Sequence, residues 1–245
     1  MAGVLCYDSI DIIGIKVNDM DKGWSELNKL MQSQIKKNDT YIDGIGTLLL
    51  LRRQLMDTII SFKNDLSRED LDAIPFINAD GYHSKTIVYS LWHIFRIEDI
   101  VAHTLINCDE QVFFSGNYKE RIGSPIITTG NELVKDDIAA FSRQLDINEL
   151  YEYISEVKES TETILRKMPY EMLKHRISAE RKEILQNMDV VSSDEKAAWL
   201  IDYWCGKDIR GLIQMPFSRH WIMHIEACLR IRRKIHRSRS VLAAQ

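Results

Sequence analysis

Four prolines, Pro75, Pro125, Pro169 and Pro216, are all that a chain of 245 residues contains. Proline lacks a backbone N–H and its ring clashes with the preceding helical turn, so its scarcity leaves room for long helices. Proline usage is about 1.6% and glycine about 4.5%, against roughly 5% and 7% in typical chains. The stretches between the breakers carry apolar residues at three- and four-residue spacing, the rhythm of amphipathic helices. The expected fold class is all-α.

Periodicity places the elements. Lys22 to Lys37 reads as a helix through Trp24, Leu27, Leu30, Met31 and Ile35, and Asn38-Asp39-Thr40 ends it. A second runs from Asp43 to Asp65 with Leu48, Leu51, Leu55, Ile59 and Phe62 on one stripe. Ser67, three residues before Asp70, is an N-cap for a short turn that stops at Pro75. Ser84 is expected to cap a helix reaching Cys108, and Asp146 one from Ile147 to Met168. Further helices are predicted over Tyr170–Asn187, Asp194–Ile213 and Ser218–His236. Residues 109–130 read as irregular, with Gly116, Gly123, Pro125 and Gly130 as breakers. The expectation is a bundle of four long helices with additional short ones, a single domain over 41–240. Residues 1–40 are expected to form an N-terminal arm and a short helix; the first twenty alternate loosely, as a short strand or extended arm would.

Composition narrows the function classes. Apolar residues at 45% and charged residues at 28% suit a globular core and argue against disorder. A net charge of −4 supplies no field toward nucleic acid or anionic lipid. The basic run Arg230, Arg232, Arg233, Lys234, Arg237, Arg239 lies at a helix C-terminus, where positive charge complements the macrodipole. The longest apolar stretch, Thr47 to Leu51, is stopped by Arg52 and Arg53, well short of the roughly 20 residues that span a bilayer. The first residues carry no secretory-signal pattern. Cys6, Cys108, Cys205 and Cys228 lie far apart and form no CxxC pair, as in a reducing compartment. The expectation is a soluble cytoplasmic protein with free thiols and with neither nucleic acid nor membrane as partner.

The sharpest local motif is Arg219-His220-Trp221-Ile222-Met223-His224. Two histidines four apart project from one helix face and can share a metal ion. The helix is apolar around much of its circumference, which turns them inward, where an imidazole needs either a hydrogen bond or a metal. Trp221 stands where a His-Glu-x-x-His zinc peptidase carries its general base, so that class is disfavoured. The third ligand candidate is His93, mid-helix in Leu91-Trp92-His93-Ile94-Phe95. His83, His103, His175 and His236 read as surface or capping histidines.

Together these segments resemble the DinB-like (YfiT-like) superfamily of metalloenzymes, over about Thr47 to Ile235. The resemblance rests on Ser90-Leu91-Trp92-His93-Ile94-Phe95-Arg96-Ile97-Glu98-Asp99 and on Arg219-His220-Trp221-Ile222-Met223-His224-Ile225-Glu226. It implies a four-helix bundle with a divalent metal, zinc or nickel, held by His93, His220 and His224. Some members of that superfamily are thiol S-transferases or thiol-dependent isomerases. The resemblance therefore implies metal-activated attack of a low-molecular-weight thiol on a small-molecule electrophile, with metal-dependent hydrolysis ranked next. Homodimers are common among such proteins, and a homodimer is expected here.

Other residues near the motifs carry two readings. Trp92, Trp204 and Trp221 would wall a pocket or simply fill the core. Arg96 and Glu98 would pair with each other or a neighbouring helix before contributing to chemistry. Arg219 would meet an anionic substrate or face solvent. Glu226, two residues from His224, faces away from it, and Cys228 reads as a buried thiol. The competing functional class is a non-catalytic bundle whose histidines or metal only staple the helices.

Overall fold

The computed structural model describes residues 23–79 and 81–243; the arm expected over the first twenty residues lies outside them. Helix α1 (Trp24–Gln34) lies against α2 (Tyr41–Asp65). Their close approach depends on Gly44, where a Cβ would come within 2.6 Å of the Ile35 side chain. After α2, Ser67 and Asp70 form a reciprocal capping box that starts α3 (Arg68–Leu71), as the three-residue spacing predicts.

The next rod differs from its expectation at both ends. Its N-cap is Thr86 rather than Ser84: Thr86 Oγ1 accepts the Tyr89 backbone N–H at 2.8 Å, and α4 covers Ile87–Asp99. Helical winding then widens into a π-helix over Ile100–Asn107, closed by Cys108 in the left-handed region at φ 64°. The stretch expected to be irregular holds two short helices, α5 (Val112–Ser115) and α6 (Tyr118–Ile122). Helix α7 (Asp136–Gln144) escapes periodicity because only Ile138, Phe141 and Ser142 are buried. Asp146 caps α8 (Ile147–Lys167) by accepting from the Asn148 and Glu149 N–H groups.

Of the three helices expected after Pro169, the first two are each divided. A 3₁₀ turn over Tyr170–Lys174 precedes α9 (Ala179–Asn187), with Arg176 bridged to Asp208 between them. Helix α10 (Glu195–Cys205) ends at Gly206, and Asp208 caps α11 (Ile209–Gln214) through the Gly211 N–H at 2.8 Å. A second π-helical turn, Met215–Arg219, leads into α12 (His220–Ala243). The described residues are all-α, without a strand, and no helix among them is long and apolar enough to cross a membrane.

Four long helices define the core by contact: α2 packs on α12, α12 on α4, α4 on α8 and α8 on α2. Two apolar clusters share this frame. One gathers Leu55, Phe62, Trp92, Phe95, Tyr153 and Trp221. The other gathers Leu48, Ile97, Val101, Leu165, Trp204 and Phe217. Buried charges belong to the same helices. The Arg52 guanidinium grips both Glu98 carboxylate oxygens at 2.7 and 2.9 Å, and reaches Glu162 at 3.4 Å. Arg96 meets Asp99 at 3.2 Å, and Asp99 also accepts from the Val112 and Phe113 N–H groups and the Tyr153 hydroxyl. Fully paired charges avoid the several kcal/mol that each isolated ion would cost in such an interior.

Candidate metal centre

His93 lies in a helix whose thirteen residues are all buried. Three residues on one face of α4, spaced at i−4, i and i+3, hold the 127–130 loop by its carbonyls. The Tyr89 hydroxyl donates to Gly130 O at 2.9 Å, His93 Nδ1 bonds Thr129 O at 2.8 Å, and Arg96 donates to Ile127 O through Nε and Nη2 at 3.0 and 2.9 Å. A carbonyl only accepts, so Nδ1 carries the proton and the Nε2 lone pair of His93 is left for another partner. Tyr89 stacks on the imidazole, centroids 5.6 Å apart and planes within 10°. Gly130 is required here: its φ is +76°, and a Cβ would stand 3.1 Å from the Tyr89 ring.

His220 and His224 open α12, one turn apart, so both rings project from one face. The π turn before them sets that face, and Arg52 Nη1 holds it through Phe217 O at 3.2 Å. Ring centroids are 5.0 Å apart for His93 and His220, 4.8 Å for His93 and His224, and 4.6 Å for His220 and His224. One nitrogen from each ring falls within 4.8 Å of the others. All three side chains are buried. Among the described residues neither nitrogen of His224 has a hydrogen-bond partner, nor has Nδ1 of His220. A buried polar group left unpaired costs about 1–3 kcal/mol.

The electrostatics keep the rings neutral. Burial, with a contribution from the Lys85 ammonium, pulls His93 down to about 4 despite its bond to Thr129 O. Burial and the neighbouring imidazoles hold His220 and His224 well below the usual histidine range. Three converging neutral imidazoles, one with its outer nitrogen fixed by a carbonyl, form a donor set that can bind a divalent metal ion. The residues present fit the group.

The histidines form one wall of a cavity of about 220 Å³. Tyr82, Trp199, Tyr203 and Trp204 supply aromatic walls, and Asn131, Met215 and Pro216 complete much of the rest. Tyr82 packs edge-on against His224 at 4.7 Å. Of the sequence-derived pocket candidates, Trp204 is at the cavity. Trp92 is not: it is fully buried against Phe113, Phe141 and Tyr153. Arg96 is committed to Asp99, Gln111 and the loop carbonyl. Glu98 and Trp221 meet each other, with Trp221 Nε1 donating to Glu98 Oε2 at 2.8 Å and the Arg52 guanidinium 4.3 Å above the indole. Arg96 and Glu98 therefore pair with Asp99 and Arg52, not with one another. Arg219 and Glu226 are exposed.

Sequence reasoning missed Tyr82, Asn131, Trp199 and Tyr203. Trp199 and Tyr203 stand one helical turn apart on α10 and pack edge to face at 5.5 Å, a spacing that in isolation reads as core. Arg52 was also missed, and its fully buried guanidinium is invisible to a pattern that treats arginine as surface. His103 departs from its surface reading. It is buried, with ring nitrogens bonded to Asp109 at 2.7 Å and Ser160 at 3.1 Å. His83 is partly buried in a 3₁₀ turn beside Arg230, while His175 and His236 are exposed, as expected. Cys228 is buried as expected, and burial pushes its thiol up to about 12.

No protein-family model matches this chain, and no curated protein matches it.

Proposed function

We propose that the protein is a metal-dependent enzyme of thiol S-transferase type. In this reading His93, His220 and His224 hold one zinc or nickel ion, and a low-molecular-weight thiol attacks an electrophilic small molecule in the adjoining cavity. The observation that carries the reading is the set of buried, partnerless imidazole nitrogens on the wall of that cavity. A divalent ion at such a site lowers the pKa of a thiol or water bound to it and so supplies a nucleophile at neutral pH.

The chain's own groups divide the remaining work. Thr129 O fixes the His93 tautomer. Asn131 accepts the Thr129 hydroxyl proton at Oδ1, at 2.7 Å, which leaves its Nδ2 to donate to a bound molecule. The aromatic walls exclude water and offer faces for an apolar body. Among the described residues lining the cavity there is no carboxylate, so a water nucleophile would lack the general base that hydrolysis uses. A thiol, far more acidic than water, needs none. That ranks transfer ahead of hydrolysis. Among the described residues no cysteine lines the cavity, which agrees with a thiol supplied by a small partner molecule. Free cysteines suit the cytoplasm, where such thiols are kept reduced.

The test is elemental mass spectrometry of the untagged protein beside a His220→Ala/His224→Ala variant. About one ion per wild-type chain and none in the variant is expected. Thiol addition to cobalt-loaded protein should then give a sulfur-to-metal charge-transfer band. A folded wild type that takes up no metal when offered zinc, nickel or cobalt overturns the reading. A loaded protein whose spectrum ignores thiols removes its transferase part.

A further inference from the structure

The first of the two π-helices builds a different constellation, away from the three imidazoles. The π-helix Ile100–Asn107 ends at Cys108, whose left-handed backbone, φ 64°, turns the chain back on itself. The turn is locked by the Asp109 N–H donating to His103 O at 3.1 Å. It brings the Asp109 carboxylate to His103 Nδ1 at 2.7 Å, and Asn107 Nδ2 donates to the other carboxylate oxygen at 2.7 Å. On the far side of the ring, His103 Nε2 lies 3.1 Å from Ser160 Oγ of α8.

The directions of these bonds follow from chemistry. The Asp109 carboxylate only accepts, so Nδ1 carries the imidazole proton. Nε2 of the neutral ring is then an acceptor, and the Ser160 hydroxyl must donate to it. Helical serines and threonines commonly bond back to the carbonyl one turn earlier, as Thr163 does to Glu159 O at 3.0 Å. Ser160 instead spends its proton across the helix interface. The imidazole is nearly closed off, its side chain 4% exposed, while Asp109 is 47% exposed. Ser160 and Asp109 both face a cavity of about 480 Å³ with apolar walls from Ile106, Ile164, Met168 and Met172.

We propose that Ser160, His103 and Asp109 form a second catalytic centre, an esterase site for small carboxylic esters with an apolar acyl group. Ser160 Oγ forms a bond to the ester carbonyl carbon as its proton passes to His103 Nε2. The carbon–oxygen bond to the alcohol breaks, and the alcohol departs with that proton. Water then attacks the acyl carbon and gives a proton to His103, the bond to Ser160 Oγ breaks, and Oγ takes the proton back as the carboxylic acid leaves. Asp109 positions the ring and, with Asp99 Oδ1 at 4.0 Å from Nε2, stabilises the imidazolium that forms. The second Asn107 amide hydrogen and the Lys167 ammonium are the donors this cavity offers to the developing oxyanion. None of these groups touches His93, His220 or His224, so the site stands whether or not the metal reading does.

The test uses the full chain with chelator present, so that metal-dependent hydrolysis is silent. A fluorophosphonate probe should add to one residue, mapped to Ser160 by peptide mass spectrometry. Labelling should vanish in Ser160→Ala, persist in the His220→Ala/His224→Ala variant and weaken in Asp109→Asn. Hydrolysis of p-nitrophenyl butyrate should fall at least about 100-fold in Ser160→Ala, the scale of losing an activated nucleophile. Alanine suits a mid-helix position, so that variant keeps its fold, which circular dichroism checks. Absence of label on Ser160, or unchanged hydrolysis in folded Ser160→Ala, overturns the proposal.

Discussion

The indole of Trp221 donates to Glu98 Oε2 at 2.8 Å, so the residue that follows His220 is tied to a carboxylate on the helix that carries His93. Glu98 is itself gripped by Arg52, whose Nη1 also takes the Phe217 carbonyl of the π turn that sets the start of α12. One buried guanidinium thus links the two helices that supply the three imidazoles. Register between those helices decides whether three rings share one point, and this polar link fixes it better than apolar contact, which tolerates sliding.

Removing that guanidinium should therefore cost more than its volume. Arg52→Met keeps the length of the side chain but leaves Glu98 buried without its main counter-charge. Breaking a buried pair in this way costs about 3–5 kcal/mol. Urea unfolding of the two proteins measures it. The double variant Arg52→Met/Glu98→Gln should recover part of the loss, since no uncompensated charge then remains. A single variant within about 1 kcal/mol of wild type would show that the pair carries no such weight.

His224 should behave in opposite ways with and without metal. Among the described residues neither of its nitrogens has a partner, so without metal His224→Leu removes an unsatisfied buried group and is neutral or stabilising, by up to roughly 1 kcal/mol. With zinc at 100 times its dissociation constant the wild type gains about 2.7 kcal/mol, and the variant gains nothing. Thermal unfolding with chelator and with zinc reads both arms. A variant strongly destabilised in chelator would mean that His224 has partners of its own.

The overall class and the His220–His224 pair were legible in the sequence because both rest on spacing, while His93 was found from its place among the apolar residues of its helix and from the family resemblance. Apolar residues at i, i+3 and i+4 mark α2, α4, α8 and α12, and His220 and His224 must share a face. The π turns were not legible: Met215–Arg219 and Ile100–Asn107 keep helical periodicity and change only the winding, which no residue pattern signals. Nor was the 127–130 loop, read as an irregular insertion. It orients His93 through a backbone carbonyl, and carbonyls are the same in every residue. The divided helices after Pro169 left a trace, since Gly206 and Asp208 are a stop and a cap, but the apolar rhythm running through Leu200 to Leu212 masked it. Arg52 and His103 were misjudged for one reason. Polar residues are counted as surface until the partners that satisfy them are known, and those partners lie far away in the chain or on another helix.

The loop's role makes Gly130 a sensitive point. Its φ of +76° strains any L side chain, and a Cβ would press on the Tyr89 ring at 3.1 Å, so Gly130→Ala should cost on the order of 1–3 kcal/mol. The greater effect should fall on the metal. Displacing the adjacent Thr129 carbonyl frees the His93 ring to rotate, and the loss of such an orienting bond typically lowers metal affinity about 10–100-fold. Competition with a chromogenic zinc chelator measures that. Unchanged affinity alongside lost stability would mean that the loop covers the site without orienting its ligand.

Acid should weaken the metal-free fold through its three buried imidazoles. Folded His93 titrates at about 4, against about 6.5 for an unfolded histidine. Below pH 6.5 the unfolded chain binds a proton that the native ring refuses, so the stability is full above 6.5 and declines as the pH falls toward 4. For His93 alone the loss between pH 6.5 and 5 is about 1.5 kcal/mol. His220 and His224, depressed in the same direction, add to it, and the Lys85 ammonium opposes protonation of His93 and His224 throughout. Urea midpoints in chelator at pH 7.5, 6.5 and 5 should fall stepwise, and less steeply in His224→Leu, which has one fewer such group. A wild-type midpoint flat across that window would mean that the three imidazoles take up protons in the folded state, and that the site is wetter and less suited to holding a metal than its burial indicates.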